Sequence, residues 1–490
     1  MKLKPSPALV KSSLSAHSVV GLVIGYLMYL VCLTGALVVY KDVIQRWEQP
    51  DVAEFSEFDS TTVETALNDY LSRQEQSPES LYVVLPTDHE RRMHLSDGEA
   101  EWLLREDGTL GAEPREGLAH LLVELHYYLH LPSNIGILLV SALGAMLLGL
   151  IISGLLAHPR IFKDAFRFRL GGSRRLEQAD IHNRLSVWGL PFHLMIALTG
   201  AFFGLAGLLV LTAAPAYYGG DREALIADIY GGDPVVEAPV QKVDVAAALA
   251  ELQQRAPEAE PIYLVVQKPN TSGQFLEIAA SLPGRLVYSE IYRYDADGIY
   301  INHQGLSDGI AGRQILYSVY RIHFGHFGGE GTTFWVKLAY LLLGLALTVV
   351  SVTGVNVWLA RRGGRDWVND FWCAGVWGTP AAIAMAALGA VVGNFSLIGF
   401  FLAGLVACLG LSLWLRDETR SAMLLKWGSA ILLLLLVAVH GLIYPAQVGQ
   451  GPVLAVHTVA LLLAAWFVWA GYRQAAGIKA AEASRGGLAV

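Results

Sequence analysis

Charged residues are scarce in this 490-residue chain. Asp, Glu, Lys and Arg make up 16% of the sequence, whereas hydrophobic residues make up 54% and the mean hydropathy is +0.43. Soluble domains usually carry about 25% charged residues. So little charge cannot cover a large apolar surface in water, which excludes an ordinary soluble enzyme, and the apolar content excludes a disordered chain. The net charge of −8 argues against a nucleic-acid-binding protein.

Cysteines and recognisable catalytic motifs are also lacking. Cys32, Cys373 and Cys408 lie far apart and form no CxxC pair. A disulfide framework, a thiolate zinc site, an iron–sulfur cluster and covalent c-type haem are therefore poorly supported. No GxGxxG motif precedes a helix, and HExxH does not occur. The sequence thus predicts no flavin or nicotinamide site in this chain.

Long uncharged runs dominate what is present. A bilayer core needs about 20 apolar residues per helix. By that criterion the sequence predicts eight transmembrane helices, and hence a polytopic membrane protein whose membrane part is all α-helical. They lie at roughly 18–40, 133–157, 186–212, 335–360, 377–393, 397–415, 427–444 and 453–472.

Lys and Arg in short connections predict the orientation. They concentrate in residues 1–18, 158–184, 361–365, 416–426 and the tail from 473, which alternate with two long segments. The positive-inside rule then predicts that these five regions and both termini are cytoplasmic. The first apolar run is too long for a signal peptide, and Tyr40-Lys41-Asp42 offers no small-residue cleavage site, so we expect it to be retained.

The two long segments, 41–125 and 213–330, are expected outside the membrane as small α+β domains. Each contains strand-like runs before an Asp-Gly turn, at Asp107-Gly108 and Asp297-Gly298, which is typical of hairpins. The predicted membrane regions are 1–40, 126–160, 180–212, 331–362 and the additional four-helix region 371–473.

An internal repeat relates two pairs of helices. His17 lies 17 residues before Thr34-Gly35, and His182 lies 17 residues before Thr199-Gly200. The segment from His126 to Ser153-Gly154 loosely matches the segment from His323 to Thr353-Gly354. The pattern predicts a duplication that forms a four-helix bundle, with residues 371–473 outside it.

Histidines at matched depth in this repeat are the main site candidates. His17 and His182 fall at the inner ends of outgoing helices, and His126 and His323 precede incoming helices at the outer face. Two histidines on facing helices suit six-coordinate b-type haem, so the pattern predicts about two haems, one near each face. The alternative is that they are interfacial histidines solvated by lipid headgroups. Five further histidines are lesser candidates. His130 and His326 could ligate in place of their neighbours or contact haem propionates, and His193 could be a ligand in the middle of the membrane. His440 and His457 could bind a third haem or contact a quinone.

These motifs, in this order, resemble the PepSY-associated transmembrane family over about residues 10–362. The matching pieces are the two Thr-Gly pairs with their histidines, Leu125-His126, residues 179–185 and residues 322–329. The resemblance implies an iron-regulated inner-membrane protein with PepSY-like periplasmic domains, similar to haem-containing reductases of ferric siderophores. It also implies that His17, His126, His182 and His323 ligate haem. The extra helices in 371–473 have no counterpart in the compact family form.

Several functions remain open on the sequence. The first is a dihaem cytochrome that passes electrons from quinol or a cytoplasmic flavoprotein to a ferric siderophore in the periplasm. The second is a non-enzymatic PepSY sensor or inhibitor anchored in the bilayer. The third is a transporter. Intramembrane carboxylates would favour a transporter, and the predicted helices contain none.

Overall fold

The structure is a computed structural model that describes residues 5–87, 90–166, 173–327, 332–393 and 395–486. It divides into a helical unit, within residues 1–50, 116–204 and 339–490, and a sheet unit, within residues 51–115 and 205–338. Some residues used in the sequence analysis lie outside the described residues. They are Lys2, Lys4, Arg167 and Arg169, which contribute to the predicted orientation, and Gly328 and Gly329, which belong to the matching segment 322–329.

Seventeen helices are found in the described ranges. In chain order they are α1 (Pro7–Val23), α2 (Gly25–Val38), α3 (Lys41–Glu48), α4 (Ser60–Arg73), α5 (Leu118–Tyr127), α6 (Ser133–Ala157), α7 (Ile161–Asp164), α8 (Arg174–Trp188), α9 (Leu190–Tyr217), α10 (Arg222–Tyr230), α11 (Val245–Arg255), α12 (Ala311–Phe324), α13 (Thr333–Leu359), α14 (Trp367–Val392), α15 (Leu397–Leu415), α16 (Glu418–Ile443) and α17 (Gly451–Gly486).

The apolar helices confirm a polytopic membrane protein. Within the described residues seven helices are long and apolar enough to cross a bilayer, namely α6, α9, α13, α14, α15, α16 and residues 451–478 of α17. The pair α1 and α2 makes an eighth span if it is counted as one. The bounds predicted for the second and sixth spans coincide with α6 and α15.

The first span is broken, although the sequence predicts one helix over 18–40. The axes of α1 and α2 differ by 69°, and the break falls at Ile24, seven residues after His17. Helix α8 likewise ends before Gly189, seven residues after His182. The repeat therefore includes the position of the helix break.

Two C-terminal helices begin about ten residues earlier than the apolar runs predict. Asp366 and Asp417 cap α14 and α16 through side-chain oxygens that accept backbone N–H groups, so each helix starts in polar sequence. As a result, Asp370 lies buried inside α14 and forms an ion pair with Arg365. Asp370 and Glu418 thus lie in polar first turns that precede the apolar spans predicted for these two helices. Lys426, predicted in a loop, lies inside α16.

The core of the first bundle draws on both repeats. One cluster of buried residues joins Met28 of α2, Leu143 and Leu147 of α6, Ala197 of α9 and Leu347 of α13. Leu147 and Leu347 occupy equivalent repeat positions, as judged from the Ser153-Gly154 and Thr353-Gly354 match. Equivalent residues from two repeats thus meet in one apolar core.

The additional helices pack directly on this bundle. Helix α5 lies against α2, α14 and α15 through a cluster that includes Leu30, Leu121, Leu125, Ala386 and Phe401. Helix α14 is rich in Ala and Gly, which allows neighbouring helices to approach closely, and it is the most buried of the candidate spans. The C-terminal region is therefore part of the same helical unit.

The sheet unit contains one continuous antiparallel sheet. Its strands are β1 (Ser80–Val84), β2 (His94–Ser96), β3 (Glu101–Leu103), β4 (Glu260–Gln267), β5 (Phe275–Ser281), β6 (Glu290–Tyr294) and β7 (Tyr300–His303), in the order β3-β2-β1-β4-β5-β6-β7. The sequence predicts two small domains. In the structure, the whole of β1, from the first long segment, pairs with β4 of the second. Helices α4 and α11 pack on one face of the sheet. The predicted turn at Asp297-Gly298 joins β6 and β7.

Candidate functional site

His17 and His182 meet inside the helical unit, as the repeat predicts. Their ring centroids are 6.1 Å apart and their planes are inclined at 83°. The Nδ1 of His17 donates to the carbonyl oxygen of Leu150 at 3.0 Å, and the Nδ1 of His182 donates to that of Val350 at 3.0 Å. Leu150 and Val350 are equivalent in the repeat, so the two halves hold their histidines in the same way.

A glycine lies beside each of these rings. A Cβ atom on Gly154 would lie 3.2 Å from Cε1 of His17, and one on Gly354 would lie 3.2 Å from Cε1 of His182. Each glycine follows its carbonyl residue by four positions, and therefore lies one turn further along the same helix face. A side chain at either position would make a contact tighter than most real Cβ contacts, so the ring would have to shift by a few tenths of an ångström.

His126 is held by the same local arrangement. Its Nδ1 donates to the carbonyl oxygen of Val31 at 2.9 Å, and Gly35 follows Val31 by four residues. A Cβ on Gly35 would lie only 2.4 Å from Cε1 of His126. Three of the four predicted ligands thus have the same local arrangement. Each Nδ1–H donates to a helix carbonyl, and a glycine lies one turn after the residue that supplies this carbonyl.

These residues fit an iron porphyrin. An imidazole that donates from Nδ1 is fixed in the tautomer whose Nε2 lone pair can bind a metal, and metal-ligating histidines usually have such a carbonyl partner. If a haem were bound here, His17 and His182, whose ring centroids lie 6.1 Å apart, would be the residues that hold its iron. No set of three or more His, Cys, Asp or Glu side chains in the described ranges could hold a metal ion. A haem needs only two protein ligands, because the porphyrin supplies the other four.

The fourth predicted ligand lies in the other unit. His323 is in the last turn of α12, and His326 follows in the loop after the left-handed Gly325 that ends this helix. The backbone carbonyl of His326 accepts a hydrogen bond from Arg321, and the imidazole ring of His326 lies beside the ring of Phe324. Because His126 belongs to the helical unit and His323 to the sheet unit, the predicted outer pair remains a prediction.

His130 is half-buried, whereas His193 is almost fully buried. His130 and Leu129 both have left-handed backbones, at φ of 54° and 52°, an unfavourable conformation that costs about 1–2 kcal/mol per residue. The Nδ1 of His130 has no hydrogen-bond partner in the described part of the chain. The ring of His193 packs on Gly189 one turn earlier. Within the described residues, neither ring contacts the ring of a second histidine.

His440 and His457 are brought together in the C-terminal helices. Their ring centroids are 4.9 Å apart, and the Nε2 of His457 lies 3.1 Å from the Nδ1 of His440. This direct hydrogen bond leaves no space for a haem iron between the two rings. The contact is therefore a hydrogen-bonded pair, and it does not favour the third haem considered from the sequence.

A hydrogen-bonded chain links α8, the helix that carries His182, to the additional helices. The indole N–H of Trp372 on α14 donates to the side-chain oxygen of Asn356 at 2.8 Å. The amide of Asn356 donates in turn to the side-chain oxygen of Gln178, at 2.9 Å, one turn before His182 on α8. The helix that carries His182 is thus fixed to α14 through α13.

The family model described as the PepSY-associated TM region matches residues 14–361 of the chain. The chain belongs to this family. The matched region includes His17, His126, His182 and His323, whereas α14 to α17 follow it. The chain is also 29% identical over 251 residues to an uncharacterised protein of Pseudomonas aeruginosa. That alignment covers 49% of this chain and 63% of the relative, so the chain spans less than two thirds of that relative's length.

Sequence reasoning missed the residues that position the histidines. From the sequence, Gly154 and Gly354 serve only as landmarks of the repeat, yet they lie against the rings of His17 and His182. The signal that could have found them is that both glycines end the matching Ser153-Gly154 and Thr353-Gly354 pairs of the two repeats. Backbone carbonyls leave no trace in the sequence, because any residue at position 150 or 350 supplies one.

Proposed function

We propose that this protein is a membrane b-type dihaem cytochrome that reduces ferric iron held by a siderophore in the periplasm. The observation that carries the proposal is the His17–His182 pair, with both Nδ1 atoms bonded to equivalent carbonyls and the rings 6.1 Å apart. Membership of the PepSY-associated family supports it, since the motifs resemble those of haem-containing reductases.

In this proposal His17 and His182 hold the inner haem, and His126 and His323 hold the outer one. Each haem, when bound, supplies one-electron chemistry of its iron. The carbonyls of Leu150 and Val350 keep the Nδ1 protons in place, which leaves the Nε2 lone pairs for ligation. The glycines beside the rings permit that orientation.

The substrate side follows from the chemistry of iron. Siderophores hold Fe(III) through hard oxygen donors, and reduction to Fe(II) weakens that hold because the ferrous ion is softer. The two long segments, which we expect in the periplasm, would face the incoming complex. No dinucleotide motif occurs in the chain, so the proposed electron donor is quinol or a separate cytoplasmic flavoprotein.

Oriented proteoliposomes test the proposed direction of electron flow. The haems are reduced with dithionite, and a ferric siderophore is added either on the side of the long segments or on the Arg-rich side. We expect fast haem oxidation only from the side of the long segments. Fast oxidation only from the Arg-rich side would contradict a periplasmic reductase with cytoplasmic termini.

A further inference from the structure

The hydrogen-bonded pair His440–His457 has a defined direction. The Nε2 of His440 lies 2.8 Å from the backbone carbonyl oxygen of Trp47, and a carbonyl can only accept. In a neutral His440, Nδ1 is therefore the acceptor, and it receives the Nε2–H of His457. The Nδ1 of His457 keeps its lone pair. No hydrogen bond to this atom is found among the described residues.

Trp47 places an unpaired donor in the same cluster. Its ring stacks on His440, with centroids 4.7 Å apart and planes inclined at 15°. The side chain is fully buried, and its Nε1–H has no hydrogen-bond partner within the described ranges. A buried donor without a partner is costly, and natural proteins rarely leave one unless a ligand or water completes it.

An apolar groove lies on the same pair of helices. It encloses about 450 Å³ between α16 and α17, and Leu434 and Trp469 are among its lining residues. Three further lining residues, Leu461, Ala464 and Val468, follow His457 at intervals of 4, 7 and 11 residues. That spacing puts them on the face of α17 that carries His457. The groove and the histidine pair therefore lie along one stripe of the helix.

We propose that His457, His440, Trp47 and this groove bind an isoprenoid quinol. The hydroxyl of the head group would donate to Nδ1 of His457, its oxygen lone pairs match the unpaired Trp47 donor, and the isoprenoid tail would lie in the groove. A phospholipid could fill the groove with an acyl chain, but its ester groups cannot donate to Nδ1. This inference rests on the proposed function, because the quinol would be the electron donor that the proposed cytochrome needs.

Photolabelling of the full chain tests the site. The protein is reconstituted in nanodiscs of quinone-free phospholipid and exposed, under anaerobic conditions, to an azido-substituted ubiquinol with a short isoprenoid tail. Labelled peptides are identified by mass spectrometry. We expect saturable labelling on α16, α17 and the segment around Trp47, and competition by an unlabelled short-chain ubiquinol.

Two pairs of variants make the test specific. His457→Leu should lower specific labelling roughly tenfold through loss of the buried hydrogen bond, and His457→Gln should restore part of it because its amide oxygen accepts. Ala465→Trp should block the groove, which Ala465 lines. Leu462→Trp, on the exposed lipid-facing side of α17 outside the lining, should label like the wild type. Gel filtration and haem content verify that each variant folds.

The outcomes separate this inference from the proposed function. Labelling that is spread over the lipid-facing surface, or that is unchanged in both His457→Leu and Ala465→Trp, overturns the quinol site. Normal haem content without specific labelling refutes the site and leaves the cytochrome proposal intact. Specific labelling of a protein that binds no haem supports the site and refutes the cytochrome proposal.

Discussion

His17 and His182 come from equivalent positions of the two repeats and lie with their ring centroids 6.1 Å apart, each bonded through Nδ1 to an equivalent helix carbonyl. The pair is therefore placed by the approximate symmetry of the duplication. Symmetry of this kind explains why both histidines have the same tautomer and the same adjacent glycine. We therefore expect the two residues to be functionally equivalent.

Replacing either member of the inner pair should remove the same haem. His17→Ala and His182→Ala should each lower haem content to about half, and both should lose the same signal in a potentiometric titration, because one iron shares the two ligands. The exposed His303, replaced by Ala, is the matched control and should retain both haems. Loss of different haems in the two variants would show that these histidines do not share an iron.

The outer pair is predicted from the repeat. His126→Ala and His323→Ala should each remove the second haem and leave the inner one spectroscopically unchanged. Redox titration and low-temperature absorption spectra distinguish the two centres. If His126→Ala removes the haem that His17→Ala removes, the helices have been paired wrongly.

The glycine beside His17 should matter more than others on its helix. Gly154→Ala puts a Cβ 3.2 Å from the His17 ring, whereas Gly149→Ala on the same helix meets nothing within 4 Å. We expect Gly154→Ala to weaken haem retention about tenfold, in the range of changes to residues that orient metal ligands. Gly149→Ala should behave as the wild type in haem transfer to apomyoglobin. Equal haem loss from the two variants would refute this role of Gly154.

The sheet unit depends on a buried ion pair. Arg293 of β6 donates from Nε to Glu277 of β5 at 2.8 Å, and both side chains are almost fully buried. Glu277→Ala leaves a buried guanidinium unpaired and should destabilise β5 and β6 by about 3 kcal/mol. Hydrogen exchange of the full chain measures this opening free energy. Asp233→Ala, which breaks an exposed pair with Lys268, should cost less than about 1 kcal/mol; a similar loss in both variants would contradict the argument.

The membrane helices were readable because charge is excluded from them. The second and sixth spans match the sequence prediction, since polar residues flank both apolar runs. The fifth and seventh do not, because capping aspartates start those helices in polar sequence before the apolar run begins. The break at Ile24 was also missed, since an apolar run carries no mark of a change in helix direction.

The pairing of His17 with His182 could be predicted from the repeat, but the long-range contacts elsewhere in the fold could not. Periodicity related His17 to His182 without any structural information. The contact between β1 and β4, the His440–Trp47 stack and the Trp372–Asn356–Gln178 chain all join residues that are distant in sequence and unrelated by the repeat. Such contacts are set by tertiary packing, which a single sequence does not encode in any local pattern.

The haem content of the purified full-length protein tests the central claim most directly. Pyridine-haemochrome spectra, with protein measured by amino-acid analysis, should give about two non-covalent b-type haems per chain. One haem per chain, lost in His17→Ala, would leave only the inner pair as a ligand set. A correctly folded, detergent-stable preparation that contains no haem, and takes up none when haemin is added, would contradict the account.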